Sequence, residues 1–416
     1  MLKSSVRTRV LVLATVVAVF VAAVAAAGSA GAARSVRGFD GTTIKVAGFG
    51  IASQLPTAES GAQARIKRFN DTNEIKGVKI QYAEFADDKQ DPATALTEAR
   101  RLVTQDQVFA IVGDVSQFNP KDYFTQQHLP YFGWGFDDTY CSNKPSTKLW
   151  GFGFSGCGVP SNPSFVGDSA RAIYQYAKQK TGKDHPTAVL VGNDTTSSKN
   201  AGKFSEISWT GAGFKVVANQ TQMPIPPISD YTPYAQAALT GDNGKAPDVI
   251  ACLLATDCIP LYAQIQANNF SGIYMSSLYS NLLVAPMKGS TVNTAFVNPT
   301  TSNPGMDAMK QDLNAWKAGE GDKVDSGTIA GYTSTDMFIQ ALKTVAKKGK
   351  GNITPEAVQA AAANQTWEFK GVAGPTSYPK ATVNTYPTCN SLYISDGTQW
   401  TTTVDYGCST KTYPVK

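Results

Sequence analysis

Strand-like and helix-like segments alternate along this chain from residue 43 onward, and that alternation narrows the fold more than any other feature. Thr43–Phe49 is a β-branched run, a helical pattern covers Ala58–Asn70, and Val78–Phe85 alternates apolar and polar residues. Pro92 opens a segment in which Ala95, Leu96, Ala99, Leu102 and Val103 recur at helix-face spacing. Val108–Gly113 is a continuous apolar run, as in a strand covered on both faces. Short strands are expected at Leu129–Phe132 and Lys148–Phe154. After Pro160–Pro163 the pattern restarts with a helix over Ser164–Lys180, carrying Phe165, Ala172, Ile173, Tyr176 and Ala177 on one face. A buried-type strand Ala188–Gly192, a helix Lys199–Thr210, a strand Lys215–Ala218, a helix Tyr231–Leu239 and a strand Val249–Leu254 come next. One triplet of strands starts near 44, 78 and 108, the other near 188, 215 and 248, both at βαβ spacing. The chain therefore reads as two parallel α/β lobes of similar construction.

The remainder completes these lobes. Residues 298–325 read as irregular, Tyr332–Val345 as a helix, and Pro355–Asn364 as an Ala-rich helix with Thr354 as its N-cap. Ser391–Thr403 reads as a hairpin turning at Asp396-Gly397. The expected division is 42–160 plus about 286–368 for the N-terminal lobe and 161–285 plus about 369–416 for the C-terminal lobe.

Residues 1–33 read as a secretory signal: Lys3, Arg7 and Arg9, then an uncharged run of 18 residues from Val10 to Ala27, then Ala30-Gly31-Ala32 as an A-x-A cleavage pattern. The alternative is an uncleaved anchor, since 18 apolar residues can just span a bilayer. No cysteine precedes Cys141, so there is no lipobox. Export places the protein outside the cytoplasm, where the six cysteines favour disulfides. Their clustering favours the local pairs Cys141–Cys157, Cys252–Cys258 and Cys389–Cys408. A metal site would call for C-x-x-C spacing and histidine partners, which are lacking, and no metal or cofactor is expected. The net charge of +5 falls to +2 once Lys3, Arg7 and Arg9 leave, and it forms no basic tract suited to nucleic acid.

Several motifs fail in context. Gly151-Phe-Gly153-Phe-Ser-Gly156 matches G-x-G-x-x-G, but it follows the fifth strand and leads into a proline-containing loop rather than a helix. Ser155 lacks a partner base: His128 precedes a strand, and His185 sits in a loop before Pro186. With only those two histidines a secreted hydrolase is disfavoured. Asp87-Asp88 and Asp137-Asp138 could be glycosidase acid pairs, yet Asp87-Asp88 leads into Asp91-Pro92 and reads as strand-end and capping chemistry. What survives is a set of aromatic and small polar residues just after strand ends: Ser116-Gln117-Phe118, Trp134-Gly135-Phe136-Asp137, Asn193–Ser198 and Tyr279. In open α/β sheets ligands bind there, and such side chains suit a small organic molecule.

Glu84-Phe-Ala-Asp87-Asp-Lys-Gln-Asp91-Pro92, with Ala95, Ala99, Leu102-Val103 and Phe109-Ala-Ile-Val-Gly113, resembles the signature of type I periplasmic binding proteins of the leucine/isoleucine/valine-binding branch. Ile44-Lys45-Val46, Gly61-Ala62 and Leu129-Pro130-Tyr131-Phe132 fit the same pattern, and the resemblance covers roughly residues 42–285. It implies two Rossmann-like lobes joined by three crossings, hinge closure on a small ligand, no catalysis, and delivery by a monomer to the permease subunits of an ABC importer. A membrane-anchored sensor of the same fold is the rival reading. The resemblance places ligand-carboxylate contacts at Ser116, Gln117 and Phe118 and at Trp134, Gly135, Phe136 and Asp137. It places an aromatic of the first loop near Gln54 and second-lobe tyrosines near Thr196 and Thr256. The acid that pairs with an amino-acid ammonium falls near Leu278, beside Tyr279. A branched-chain amino acid is then a poor match unless Asp137 substitutes, and an aromatic or aliphatic carboxylate or an amide fits better.

Overall fold

The computed structural model describes residues 36–135, 137–141, 149–159, 163–225, 228–253, 257–378 and 389–415. The Val10–Ala27 run, Phe136 and Thr256 lie outside them. Among the described residues no helix is long and apolar enough to cross a membrane.

The first lobe runs β1 (Thr43–Gly50), α1 (Ala58–Thr72), β2 (Lys79–Asp87), α2 (Pro92–Thr104), β3 (Ala110–Val115), α3 (Lys121–Gln126), β4 (Tyr131–Gly133) and β5 (Gly151–Gly153). Its strands form one parallel sheet in the order β2-β1-β3-β4-β5. Helix α2 starts where the sequence puts it, because the Asp91 carboxylate accepts from Thr94 N at 2.7 Å and Pro92 lies in the first turn. Ala95, Ala99, Leu102 and Val103 then meet Phe49, Ile111, Phe124 and Tyr131 in the core.

The second lobe runs β6 (Phe165–Gly167), α4 (Arg171–Thr181), β7 (Thr187–Asn193), α5 (Thr196–Ala212), β8 (Lys215–Met223), α6 (Thr232–Leu239), β9 (Val249–Cys252), α7 (Cys258–Ala267), β10 (Ile273–Ser276) and β11 (Thr291–Thr294). After it come α8 (Pro304–Trp316), α9 (Ser326–Ala346), α10 (Pro355–Ala362), the hairpin β12 (Thr366–Phe369) and β13 (Ala373–Ser377), then β14 (Cys389–Ser395), β15 (Trp400–Cys408) and β16 (Thr412–Pro414). The second sheet has the order β15-β14-β11-β10-β9-β7-β8. It is parallel from β11 to β8, with β14 and β15 antiparallel at one edge.

Helix α9 returns to the first lobe. Gly61 and Gly331 let it touch α1: a Cβ on Gly331 would lie 1.8 Å from the Ala58 carbonyl oxygen. Arg65, nearly fully buried, ties the two helices through Asp336 at 2.7 Å and Glu74 at 2.7 Å. The Trp367 indole of β12 donates to the same Asp336 at 3.0 Å. So β12 and β13 stay with the first lobe, whereas β11 belongs to the second sheet. The last strand of the first sheet is β5, and β11 and β14 both lie in the second sheet, on either side of α8, α9, α10, β12 and β13 in the sequence.

Two local expectations give way. Phe165 lies not on a helix face but in β6, paired with Pro414 of β16, so a distant strand overrides the local helical pattern. The irregular stretch 298–325 contains α8, capped by Asn303, whose side chain accepts from Gly305 N and Met306 N at 3.0 Å each. Its Ser-Asn-Pro-Gly opening reads as a loop, but it is an N-cap with proline in the first turn, and Met306, Met309 and Leu313 bury one face. The local cysteine pairs form as expected: Cys141–Cys157, Cys252–Cys258 and Cys389–Cys408.

Candidate ligand-binding cleft

Both sheets point the carboxyl ends of their strands at one cavity of about 250 Å³. From the first lobe it takes Leu55 beyond β1, Gln117 beyond β3, Trp134 and Gly135 beyond β4, and Ser155, Gly158 and Val159 beyond β5. From the second it takes Ser169 beyond β6, Ser197, Ser198 and Ala201 at the start of α5, Leu253 beyond β9, and Ser277 and Leu278 beyond β10. Asn293, Thr294 and Ala295 at the end of β11, with Cys389 and Asn390 at the start of β14, complete it. Among the described residues every one that lines it is uncharged. All Asp and Glu residues of the chain are among the described residues, so no carboxylate lines this cavity.

The sequence-predicted residues divide by what their side chains touch. Gln117, Trp134 and Gly135 line the cavity. Trp134 is 9% exposed and rests against Phe154 at 5.6 Å and Phe296 at 6.2 Å between ring centres. Gly135 adopts φ +104°, and a Cβ there would lie 2.3 Å from the Gly156 carbonyl oxygen. The glycines of the 151–156 motif thus let the β4 and β5 loops touch backbone to backbone. Ser155 Oγ donates to the Trp134 carbonyl at 2.6 Å and fixes the same contact.

Ser116, Phe118 and Asp137 lie behind this surface. Ser116 Oγ donates to Asp88 at 2.5 Å and accepts from Phe118 N at 2.9 Å, while the Phe118 ring packs against the first-lobe core. Asp137 takes Asn119 N and Nδ2 on one oxygen, each at 3.1 Å, and Thr139 N at 3.0 Å with Thr139 Oγ1 on the other. Burial pushes its carboxyl up to about 6 against the pull of the Thr139 and Asn119 donors. Its oxygens are committed to closing the loop. Asp114, fully buried, accepts from Tyr140 OH at 2.5 Å and Ser116 N at 2.9 Å, and burial holds its carboxyl well above the usual range.

Gln54 donates to Gln90 Oε1 at 2.7 Å, and its neighbour Leu55 faces the cavity instead. Thr196 is exposed, and Ser197 and Ser198 take the lining positions next to it. Tyr279 is fully buried among Phe296, Tyr393 and Trp400, while Ser277 and Leu278 before it reach the cavity. Leu278, near which the resemblance puts the ammonium-pairing acid, is a lining residue with an alkyl side chain. Sequence reasoning missed Asn293, Asn390 and Ser169, because they meet only once β11, β14 and the segment after β6 assemble.

The rejected motifs have structural partners. His128 pairs with Glu356 at 2.8 Å and His185 with the Gly213 carbonyl at 2.9 Å, and neither lines the cavity. Asp87 and Asp88 accept backbone N–H groups of their own turn. Among the described residues no group of His, Cys, Asp and Glu could hold a metal ion.

The profile of the periplasmic binding protein family matches residues 41–387. No curated protein sequence matches. Among solved structures, a fatty acid ABC transporter substrate-binding protein from Thermomonospora curvata aligns with TM-score 0.68 at 15% identity, over 91% of this chain and 95% of that one. A solute-binding protein of an R. palustris ABC transporter, in complex with 4-hydroxybenzoate, aligns with TM-score 0.65 at 17% identity, over 89% and 98%. A branched chain amino acid ABC transporter protein from Thermus thermophilus with bound valine aligns with TM-score 0.67 at 13% identity, over 89% and 97%. At these identities the likeness is one of fold.

Proposed function

We propose, because this chain belongs to the periplasmic binding protein family, that it captures a small organic solute between its lobes by hinge closure. It is exported by its N-terminal segment. It presents the closed form to the permease subunits of an ABC importer, binding its cargo without reacting with it. The ligand is an aromatic or aliphatic carboxylate or an amide rather than an α-amino acid. One observation carries this: the cavity lies at the strand ends of both lobes and no carboxylate lines it. A buried ammonium without a charged partner is costly, and here Leu278 stands where that partner would be. The similar folds hold, by their own descriptions, a fatty acid carrier, a 4-hydroxybenzoate complex and a valine complex, so the architecture tolerates such a change of cargo.

The test is a thermal-shift panel of amino acids, carboxylates and amides on the purified protein, followed by titration of the best ligand. A ligand at a hundred times its Kd stabilises the folded protein by ~2.7 kcal/mol. Trp134→Ala should weaken that ligand at least tenfold with an unchanged circular dichroism spectrum. If valine or leucine gives the largest shift, the assignment of ligand class fails. If no member of any class gives a shift, solute capture itself fails.

A further inference from the structure

Two carboxamides stand out on the second-lobe wall, Asn390 buried and Asn293 half-buried. Asn293 on β11 pairs across the sheet with Leu392 of β14, so Asn390, two residues before Leu392, is its diagonal neighbour on the same face. Both line the cavity, and Asn390 is only 5% exposed. Backbone carbonyls fix their orientation, with that of Ser169 shared by both and that of Asp168 also accepting from Asn390 Nδ2 at 3.5 Å. The Ser169 carbonyl oxygen accepts from Asn293 Nδ2 at 3.3 Å and from Asn390 Nδ2 at 3.1 Å. A carbonyl oxygen can only accept, so each amide must turn its nitrogen toward it and its oxygen away. Both Oδ1 atoms are then buried acceptors, and neither meets a donor.

Buried acceptors are normally satisfied, and a specific exception calls for a role. The rest of the cavity narrows what that role is. Leu55, Trp134, Val159, Ala201, Leu253 and Leu278 make most of its walls apolar, and none of the described lining residues is charged. A cavity of about 150 Å³ accepts benzene, so 250 Å³ holds a benzene-sized body with a polar substituent.

We infer that the Asn293–Asn390 pair is the specificity element of the cleft, and that it selects ligands presenting a neutral hydrogen-bond donor, a hydroxyl or an amide N–H, on an apolar body. Both Oδ1 atoms are shielded in this conformation, so the donor reaches them as the cleft opens to the ligand and closes over it. A ligand group that can only accept, such as an ether or a tertiary amide, faces two acceptors and is rejected. The inference rests on the reading of this cavity as a solute site and narrows the proposed class to amides with an N–H and to carboxylates that also carry a hydroxyl or N–H, because an ionised carboxylate alone only accepts.

Matched probes test it. Benzyl alcohol is compared with benzyl methyl ether, and benzamide with N,N-dimethylbenzamide, by calorimetric titration of the purified chain with its disulfides intact. The donor member of each pair should bind at least tenfold more tightly. In Asn293→Ala/Asn390→Ala the ratio should fall below threefold, and Asn390→Ala alone should lower it partway. Should the double variant not fold, the single variant and the wild-type ratios still decide. Equal binding within both pairs, or an undiminished ratio in the folded variants, overturns the inference. If none of the four probes binds while a solute of the wider panel does, the inference falls and solute capture stands. If nothing in either set binds, both fall.

Discussion

The two walls of the cleft are built on opposite electrostatic plans. Behind the first-lobe wall lie three buried carboxylates, Asp88, Asp114 and Asp137, and each hydrogen-bonds groups of its own lobe. The second-lobe wall presents serines and asparagines, and two of its buried acceptors meet no donor. A wall whose buried carboxylates are all held by donors of their own lobe is rigid and indifferent to the ligand's polarity, although Asn119 Oδ1 beside Asp137 also meets no donor. A wall with spare acceptors is less stable than it could be until a donor arrives, by about 1–3 kcal/mol for each group. On this reading rigidity resides in the first wall and the proposed recognition in the second.

The largest effect should come from breaking the first wall. Asp114→Ala leaves Tyr140 OH and Ser116 N buried without acceptors. Hydrogen bonds to charged or buried partners of this kind are worth about 1.5–3 kcal/mol each, so the variant should lose about 3–5 kcal/mol in urea unfolding. Asn390→Ala removes only neutral donations to Ser169 and Asp168 and should cost less than about 1.5 kcal/mol. The order of the two costs checks the comparison; a costlier Asn390→Ala would reverse it. Asp114→Asn keeps one acceptor and one donor at the same places and should be mild.

The walls should also differ in their response to pH. Burial lifts the Asp137 carboxyl from its ordinary value of 3.8 to about 6. The folded state thus holds this proton more tightly than the unfolded one. The stabilisation is complete below about pH 3.8 and is lost as pH rises through about 6. At about 1.4 kcal/mol for each pH unit of displacement, the first wall should lose about 1–3 kcal/mol between pH 4 and pH 7. The reading is the difference in pH slope between wild type and Asp137→Asn, which removes the titration while its lost hydrogen bonds stay constant with pH. Equal slopes would mean that the four donors around Asp137 outweigh its burial. Neither wall has an acid in its lining, so this term comes from Asp137 behind the first wall.

How far these walls were legible in the sequence obeys the same division. The first lobe is written locally: Asp91-Pro92 caps α2, its apolar spacing sets the buried face, and Trp134 and Gly135 follow a strand directly. The second wall is assembled from distance. Ser169, Asn293 and Asn390 are separated by more than a hundred residues of chain before Asn293 and by nearly a hundred after it, and no periodicity links them. The same reason hid β6, whose partner strand is at the C-terminus, and the place where β11 joins the second sheet. Positions carried over by resemblance landed one residue from the lining at Gln54 and Thr196, beside Leu55 and Ser197, as did the strand-end residue Tyr279, beside Leu278. Alignment by eye finds the loop, but side-chain direction within a loop depends on φ and ψ that the spacing does not encode.

Thr196 gives the smallest effect and the sharpest limit on the second wall. Its side chain is exposed, and it is Thr195 that caps α5, accepting from Ser198 N at 3.0 Å. Thr196→Ala removes neither a cap nor a lining atom. Stability should change by less than about 0.5 kcal/mol and affinity for the best ligand by less than twofold. Thr195→Ala, one residue away, should cost about 1 kcal/mol through the lost cap and should disturb Ser197 and Ser198, which do line the cavity. A tenfold loss of affinity in Thr196→Ala would instead show that hinge closure carries the first turn of α5 over the ligand. The recognising wall would then extend beyond the paired carboxamides to the rim of the second lobe.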